Sequence, residues 1–182
     1  MGKKFTARAL PWRQREGRDP RRTRYPPAAP PLAQLVHPRK GSQTITELTP
    51  RSVVTDKVAL KLRVKHAEHH AGTTVVNLRD PSLVVTAEIL VQPGAQFPWH
   101  EHAGPVIVTV AEGELVYVEA DDCIHRSYPT GTVFIDPGDS THSAFNPTSR
   151  VTRLIATFFN VASSGPLTLT EGVEPGDCAL LP

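Results

Sequence analysis

The sequence predicts an all-β domain behind a basic, proline-rich tail, and three observations lead there. From about residue 44 onward, short β-branched runs alternate with Gly, Pro, Asp and Asn at intervals of about ten residues, the rhythm of a sandwich or barrel. The 182 residues include 18 prolines and 12 glycines, a density of turn formers that suits short strands and leaves no room for long helices. Charge divides the chain: residues 1–40 carry eleven Lys or Arg against two acids, a net of +9, whereas residues 41–182 carry nine against sixteen, a net of −7.

The tail, residues 1–43, holds seven prolines and almost no periodic apolar pattern, so it lacks the burial needed to fold and is expected to be disordered. Only Trp12 and Tyr25 interleave with its arginines, which argues against a specific single-stranded nucleic-acid surface. Arg21-Arg22 is not followed by an apolar stretch, and neither a signal peptide nor a membrane-spanning run is legible. No membrane partner and no specific nucleic acid is expected.

Residues 44–182 make one domain. Strands are expected at 45–48, 58–64, 74–79, 83–92, 98–102, 105–111, 114–119, 124–128, 131–135, 141–146, 150–160 and 167–170, with a single helical turn at 65–71. Pro93-Gly94 ends a strand, Glu112-Gly113-Glu114 reads as a tight hairpin, and Asp136-Pro137-Gly138-Asp139 as a turn whose proline fixes φ. Cys123 follows a strand in an acidic turn and Cys178 lies near the end of the sequence. A disulfide between them would staple the end of the chain to the body and imply an oxidising compartment; two separate thiols is the other reading. The default location is cytoplasmic, with export following if the cysteines pair and the start of the sequence is misplaced.

The chemistry is concentrated in His100-Glu101-His102 and His142. Side chains at i and i+2 of a strand share a face, so two imidazoles of an HxH triplet reach one ion, and His142 follows a second turn that brings it to the same place. Glu101 faces the other way, and Glu88 is the one carboxylate considered as a further ligand. Asn146 reads as a turn or supporting residue. His37, His66, His69, His70 and His125 receive no role.

Written out, the two blocks are Gly94-x5-His100-x-His102-x3-Val106-x6-Gly113 and Gly131-x5-Pro137-x-Asp139-x2-His142-x3-Asn146. They resemble the two motifs of the cupin superfamily across residues 83–160, and the resemblance implies a cupin-type jelly-roll β-barrel with one metal site. Two positions depart from it: Val106 stands where cupins usually carry a glutamate ligand, and Asp139 where they usually carry glycine. The resemblance therefore implies an all-imidazole site of His100, His102 and His142, holding a divalent ion, iron first, with manganese, nickel or zinc as alternatives. Three neutral ligands leave the ion's double charge uncompensated, which favours a small anionic or chelating substrate.

The three-histidine branch of the superfamily includes dioxygenases of thiols and β-diketones. The late strand here offers Phe158 and Phe159 rather than the tyrosine of the thiol enzymes, and Arg153 has outward parity. The expected pocket wall is Phe97, Trp99, Val106, Val108, Tyr117, Phe134, Phe145 and Phe158. The leading functional expectation is a mononuclear non-haem iron dioxygenase-type oxidoreductase. The alternatives are a non-catalytic small-molecule binder or metal sensor on the same barrel, or a barrel whose histidines merely fill a polar interior. Pairing of two copies into a homodimer stays open.

Overall fold

The computed structural model describes residues 41–65, 73–79, 83–174 and 176–180. The tail up to residue 40 and the expected helical turn beyond Lys65 lie outside the described residues, as do His37, His66, His69 and His70.

Ten strands follow in order: β1 Gln43–Glu47, β2 Ala59–Lys65, β3 Thr73–Arg79, β4 Val84–Val91, β5 Val106–Glu112, β6 Glu114–Glu119, β7 Arg126–Pro129, β8 Val133–Asp136, β9 His142–Phe145 and β10 Thr152–Phe159. No helix occurs among the described residues. All ladders are antiparallel. One sheet has the order β1-β4-β10-β5-β8, a second β7-β6-β9, and β2-β3 forms a separate hairpin. The ladders do not run continuously around the circumference, so the expected barrel is a two-sheet jelly-roll sandwich.

Alternation explains the interior. In β4 and β10 every second residue is buried, placing Val85, Ala87, Ile89 and Val91 beside Thr152, Leu154, Ala156 and Phe158 on one face. Leu115, Tyr117 and Ala144 of the second sheet join them in one core. Arg153 has the outward parity expected of it and bonds Glu88 at 2.7 Å on the outer face, which removes Glu88 from the metal candidates.

Two expected strands are reduced. Over 98–102 the chain makes only bridges, His100 to His142 and Glu101 to Leu169, and the latter is all that remains of 167–170. Pro98 explains the first, because it brings no N–H to a ladder. In the turn before β9 the left-handed residue is Gly138, at φ 96°, and Asp139 is an ordinary exposed turn residue.

β6 is buried on both faces, which an edge layer does not achieve by itself. Leu115 and Tyr117 face the core, while Val116 and Val118 face outward and are covered, with Phe145, by Leu180. The disulfide Cys123–Cys178 ties this segment down across a sequence separation of 55, and the Ala179 carbonyl lies 2.7 Å from His125 Nε2. Of the two readings of the cysteines, the bridge is the one the structure contains. A loop of that length stabilises by about 4 kcal/mol in the chain-entropy treatment, with measured values commonly about 2–4 kcal/mol. Replacing Cys178 by Ser is expected to lower the unfolding free energy by about 2–4 kcal/mol. The check is urea denaturation with and without reductant: wild-type protein should shift on reduction and the variant should not.

Candidate metal centre

The site forms where the segment from Gln96 to Glu101 runs antiparallel to β9. Gln96 pairs with Phe145 and His100 with His142, so the register slips by one residue around Pro98. Phe97 therefore points inward and, after the slip, His100 does as well. Trp99 points out, where Gly176 of the terminal segment lies against its ring. The expectation that Trp99 and Phe145 wall the pocket is thus overturned; both belong to the outer cluster with Val116 and Val118.

His100 and His142 exchange both backbone hydrogen bonds, at 2.9 and 3.0 Å, which sets their rings side by side on the inner face. The ring centroids of His100, His102 and His142 lie 4.2–5.1 Å apart. One ligand nitrogen from each falls within 4.8 Å of the others, so the three make a group able to hold a metal ion.

The loops carrying these residues touch backbone to backbone. His102 N–H donates to the Gly138 carbonyl at 2.9 Å, and a Cβ at Gly138 would stand 2.3 Å from the Gly104 oxygen. Glycine is required at 138 for this approach as well as for its positive φ.

Each imidazole is held by its Nδ1. That atom faces the carbonyl of Pro98 in His100, of Leu167 in His102 and of Ser140 in His142, at 2.8, 2.8 and 2.9 Å. A carbonyl oxygen only accepts, so every Nδ1 donates and every Nε2 points inward, that of His142 donating to Asp136 Oδ2 and able to present a lone pair once that proton is lost. That is the tautomer a metal-ligating histidine adopts, fixed by a second hydrogen bond. The residues present fit a divalent ion on this ground.

Sequence reasoning missed Asp136. It is 2% exposed, and its Oδ2 lies 2.8 Å from His142 Nε2 and 3.5 Å from His102 Nε2. Its Oδ1 accepts the Gly138 N–H at 2.7 Å, the contact that made the segment read as a plain turn. The signal was available: β8 alternates, and Phe134, expected inward, shares its parity with Asp136. An all-imidazole, uncompensated pocket is therefore corrected to one with a buried carboxylate at its edge.

The electrostatics follow from burial and this carboxylate. Burial, reinforced by His142 and His102, lowers the His100 pKa to about 3. His102 is also lowered by burial, against the opposing pull of Asp136. Burial acts downward on His142 too, but the hydrogen bond and charge of Asp136 outweigh it and raise the ring. Burial would raise Asp136, yet the hydrogen bond to His142 and the charges of His142 and His102 hold it below the usual range.

The triad opens into a small cavity whose mouth leads to solvent. Phe97, Val106, Val108, Tyr117, Phe134 and Phe158 line it as expected, and the sequence did not pick out Ile45, Ile89, Leu154 and Thr168. No Lys or Arg lines it among the described residues. Tyr117 stacks on His142 at 5.0 Å, and its hydroxyl is buried without a hydrogen-bond partner among the described groups. Burial first, then Asp136 and Glu119, raises its pKa well above the usual value, so it remains a phenol. Asn146 is a turn anchor, donating to the Val91 and Arg150 carbonyls at 2.9 and 2.7 Å. A second acidic group, Glu119, Asp121 and Asp122, sits beside the Arg126 guanidinium, which pairs with Glu119 and Asp122.

Gly138→Ala is expected to cost at least about 2 kcal/mol, because left-handed strain adds to a backbone collision. A thermal melt unchanged from wild type would contradict the loop contact.

Residues 87–158 match the family model described as Cupin domain. No functionally curated protein matches the chain. Among solved structures, the chain is similar to a cupin superfamily protein from Desulfitobacterium hafniense, with 15% identity over 74% of this chain and 93% of that one and a TM-score of 0.43. It is also similar to the cupin domain of an XRE family transcriptional regulator from Enterobacter cloacae, with 20% identity, 63% and 93% coverage and a TM-score of 0.42. A third is the polyketide cyclase RemF from Streptomyces resistomycificus, with 18% identity and a TM-score of 0.42, covering 51% of this chain and 63% of the cyclase. At these identities the likeness is one of fold alone.

Proposed function

We propose that this chain, which carries a cupin domain over residues 87–158, is a mononuclear metal enzyme of the oxygenase type acting on a small, mainly apolar chelating molecule. The observation that carries the reading is the set of three inward Nε2 atoms, on rings each oriented by an Nδ1–H bond to a backbone carbonyl, at the wall of an apolar cavity. His100, His102 and His142 hold the ion, iron(II) first among the first-row metals that an imidazole set suits. Bound there, the ion supplies Lewis acidity and one-electron redox chemistry at coordination positions the protein leaves open.

The chain's own residues bind, orient and exclude water. Phe97, Phe134 and Phe158 present apolar walls that favour an apolar substrate body over solvent. Tyr117 O–H, with no other partner among the described groups, donates to a substrate oxygen beside the triad. The buried Asp136 charge and the absence of a basic side chain in the wall shift the expected substrate from a strong anion towards a neutral or singly charged chelator. The Cys123–Cys178 bridge supports an oxidising compartment over the cytoplasmic default.

Asp136 is tied to two imidazoles, and beyond these groups Tyr117 is the one titratable side chain facing the cavity among the described residues, an observation that also favours a non-catalytic binder. Elemental analysis separates the possibilities. Wild-type protein is expected to hold about one equivalent of a first-row metal and His142→Ala a tenth of that or less, as removal of a ligand requires. Equal contents would sink the site. Oxygen uptake with iron(II) and a panel of diketones, thiols and hydroxy acids then divides enzyme from binder, since a binder takes up metal and ligand but consumes no oxygen. Tyr117→Phe should melt within about 1 kcal/mol of wild type, because the lost hydroxyl has no well-formed hydrogen bond among the described residues, while KM rises several-fold. An unchanged KM would remove the tyrosine from the substrate site.

A further inference from the structure

We propose that Asp136 is a fourth ligand of the metal, supplied by β8 across the ladder from the valine at 106. The inference rests on the reading that His100, His102 and His142 hold a divalent ion, and it adds the anionic member of the set.

Position comes first. Val106 and Asp136 are direct partners in the β5–β8 register, so their side chains stand together on the inner face. Phe158 flanks Val106 on its other side, in the β10–β5 ladder, and both line the cavity with Asp136. The carboxylate absent from β5 is thus present one strand over, beside the same two rings.

The need for a partner is the second argument. Asp136 is 2% exposed in a wall without Lys or Arg, and a buried carboxylate is retained only where it is paired or coordinates a metal. The Gly138 N–H occupies Oδ1. Oδ2 faces His142 Nε2 at 2.8 Å and His102 Nε2 at 3.5 Å, on rings whose Nδ1 already donates elsewhere. His142 Nε2–H donates to Oδ2, and a divalent cation that displaces this proton is left with three electron-pair donors converging on it.

The spacing agrees. Two ligands about 2.1 Å from one ion lie about 3.0 Å apart at a right angle and about 3.4 Å apart at the tetrahedral angle. The observed 2.8 and 3.5 Å bracket those separations. Three neutral imidazoles and one carboxylate leave a divalent ion with a single net positive charge, the charge state suited to a neutral or singly charged substrate.

The test compares wild type, Asp136→Asn and the exchange variant Val106→Glu/Asp136→Val. Each is loaded with cobalt(II), its dissociation constant is measured by chelator competition, and its visible spectrum is recorded. Asparagine keeps the acceptor for the Gly138 N–H but loses the charge. Asp136→Asn is expected to bind about 100-fold more weakly or worse, with an altered cobalt spectrum, and the exchange variant to recover affinity to within about tenfold of wild type. Wild-type affinity and spectrum in Asp136→Asn would overturn the assignment. So would weaker binding with an unchanged spectrum, which would make Asp136 a positioning residue for His142. If Asp136→Asn does not fold, the exchange variant decides: a folded exchange protein that binds no cobalt overturns the proposal, and one that binds it supports it. Wild type that takes up no metal, or His142→Ala that binds like wild type, would bring down the three-histidine reading itself, an outcome distinct from failure of Asp136 alone.

Discussion

The reciprocal backbone hydrogen bonds between His100 and His142 are the contact on which the site depends. They join a segment that is barely a strand, interrupted by Pro98, to β9, forty residues further on. Because the two residues are a directly opposed pair, their rings share a face without further adjustment. The third imidazole follows from the first by alternation, since His102 is two residues beyond His100. The His102 N–H bond to Gly138 then closes the opposite edge, so two loops and one strand are locked at three points around the rings. Loops with this little regular structure would ordinarily be mobile; here their carbonyls are spent on fixing imidazole orientation.

That use of the backbone gives the pocket its character. Pro98, Ser140 and Leu167 each contribute a carbonyl to one Nδ1, so ring orientation and tautomer are set by main chain rather than by other side chains. The wall beyond can then be apolar. Burial against an apolar wall strengthens electrostatic interactions, which is why one carboxylate at 136 matters more than several on the surface. Acids elsewhere, Glu88 with Arg153 and Glu101 with Thr141, are held on the outer faces and leave the interior field to Asp136.

The outside of the second sheet is finished by the end of the chain. Val116, Val118, Phe145 and Trp99 make an apolar outer patch, and Cys178 and Leu180 cover it. The cover lies behind His142 and Tyr117, so the disulfide that holds it supports the wall carrying those residues without entering the pocket. Stability and site geometry are thus linked through one sheet, β7-β6-β9, buried on both sides along β6.

Local pattern by itself determined a good deal about this protein. Alternation marked β10 with the right inward parity, the glycines and prolines marked the turns, and the spacing of His100, His102 and His142 marked the triad, because side-chain period and turn chemistry are properties of neighbouring residues. Tertiary structure decided what depends on register between distant strands. The one-residue slip at Pro98 turned Trp99 outward, the β5–β8 pairing set Asp136 beside Val106, and the folding of the terminal segment over β6 brought Cys178 to Cys123. Asp136 shows the division most clearly. In sequence it opens a turn, and Oδ1 does bond the turn's N–H, but the surroundings of Oδ2 come from residues 102 and 142, whose approach no local pattern encodes.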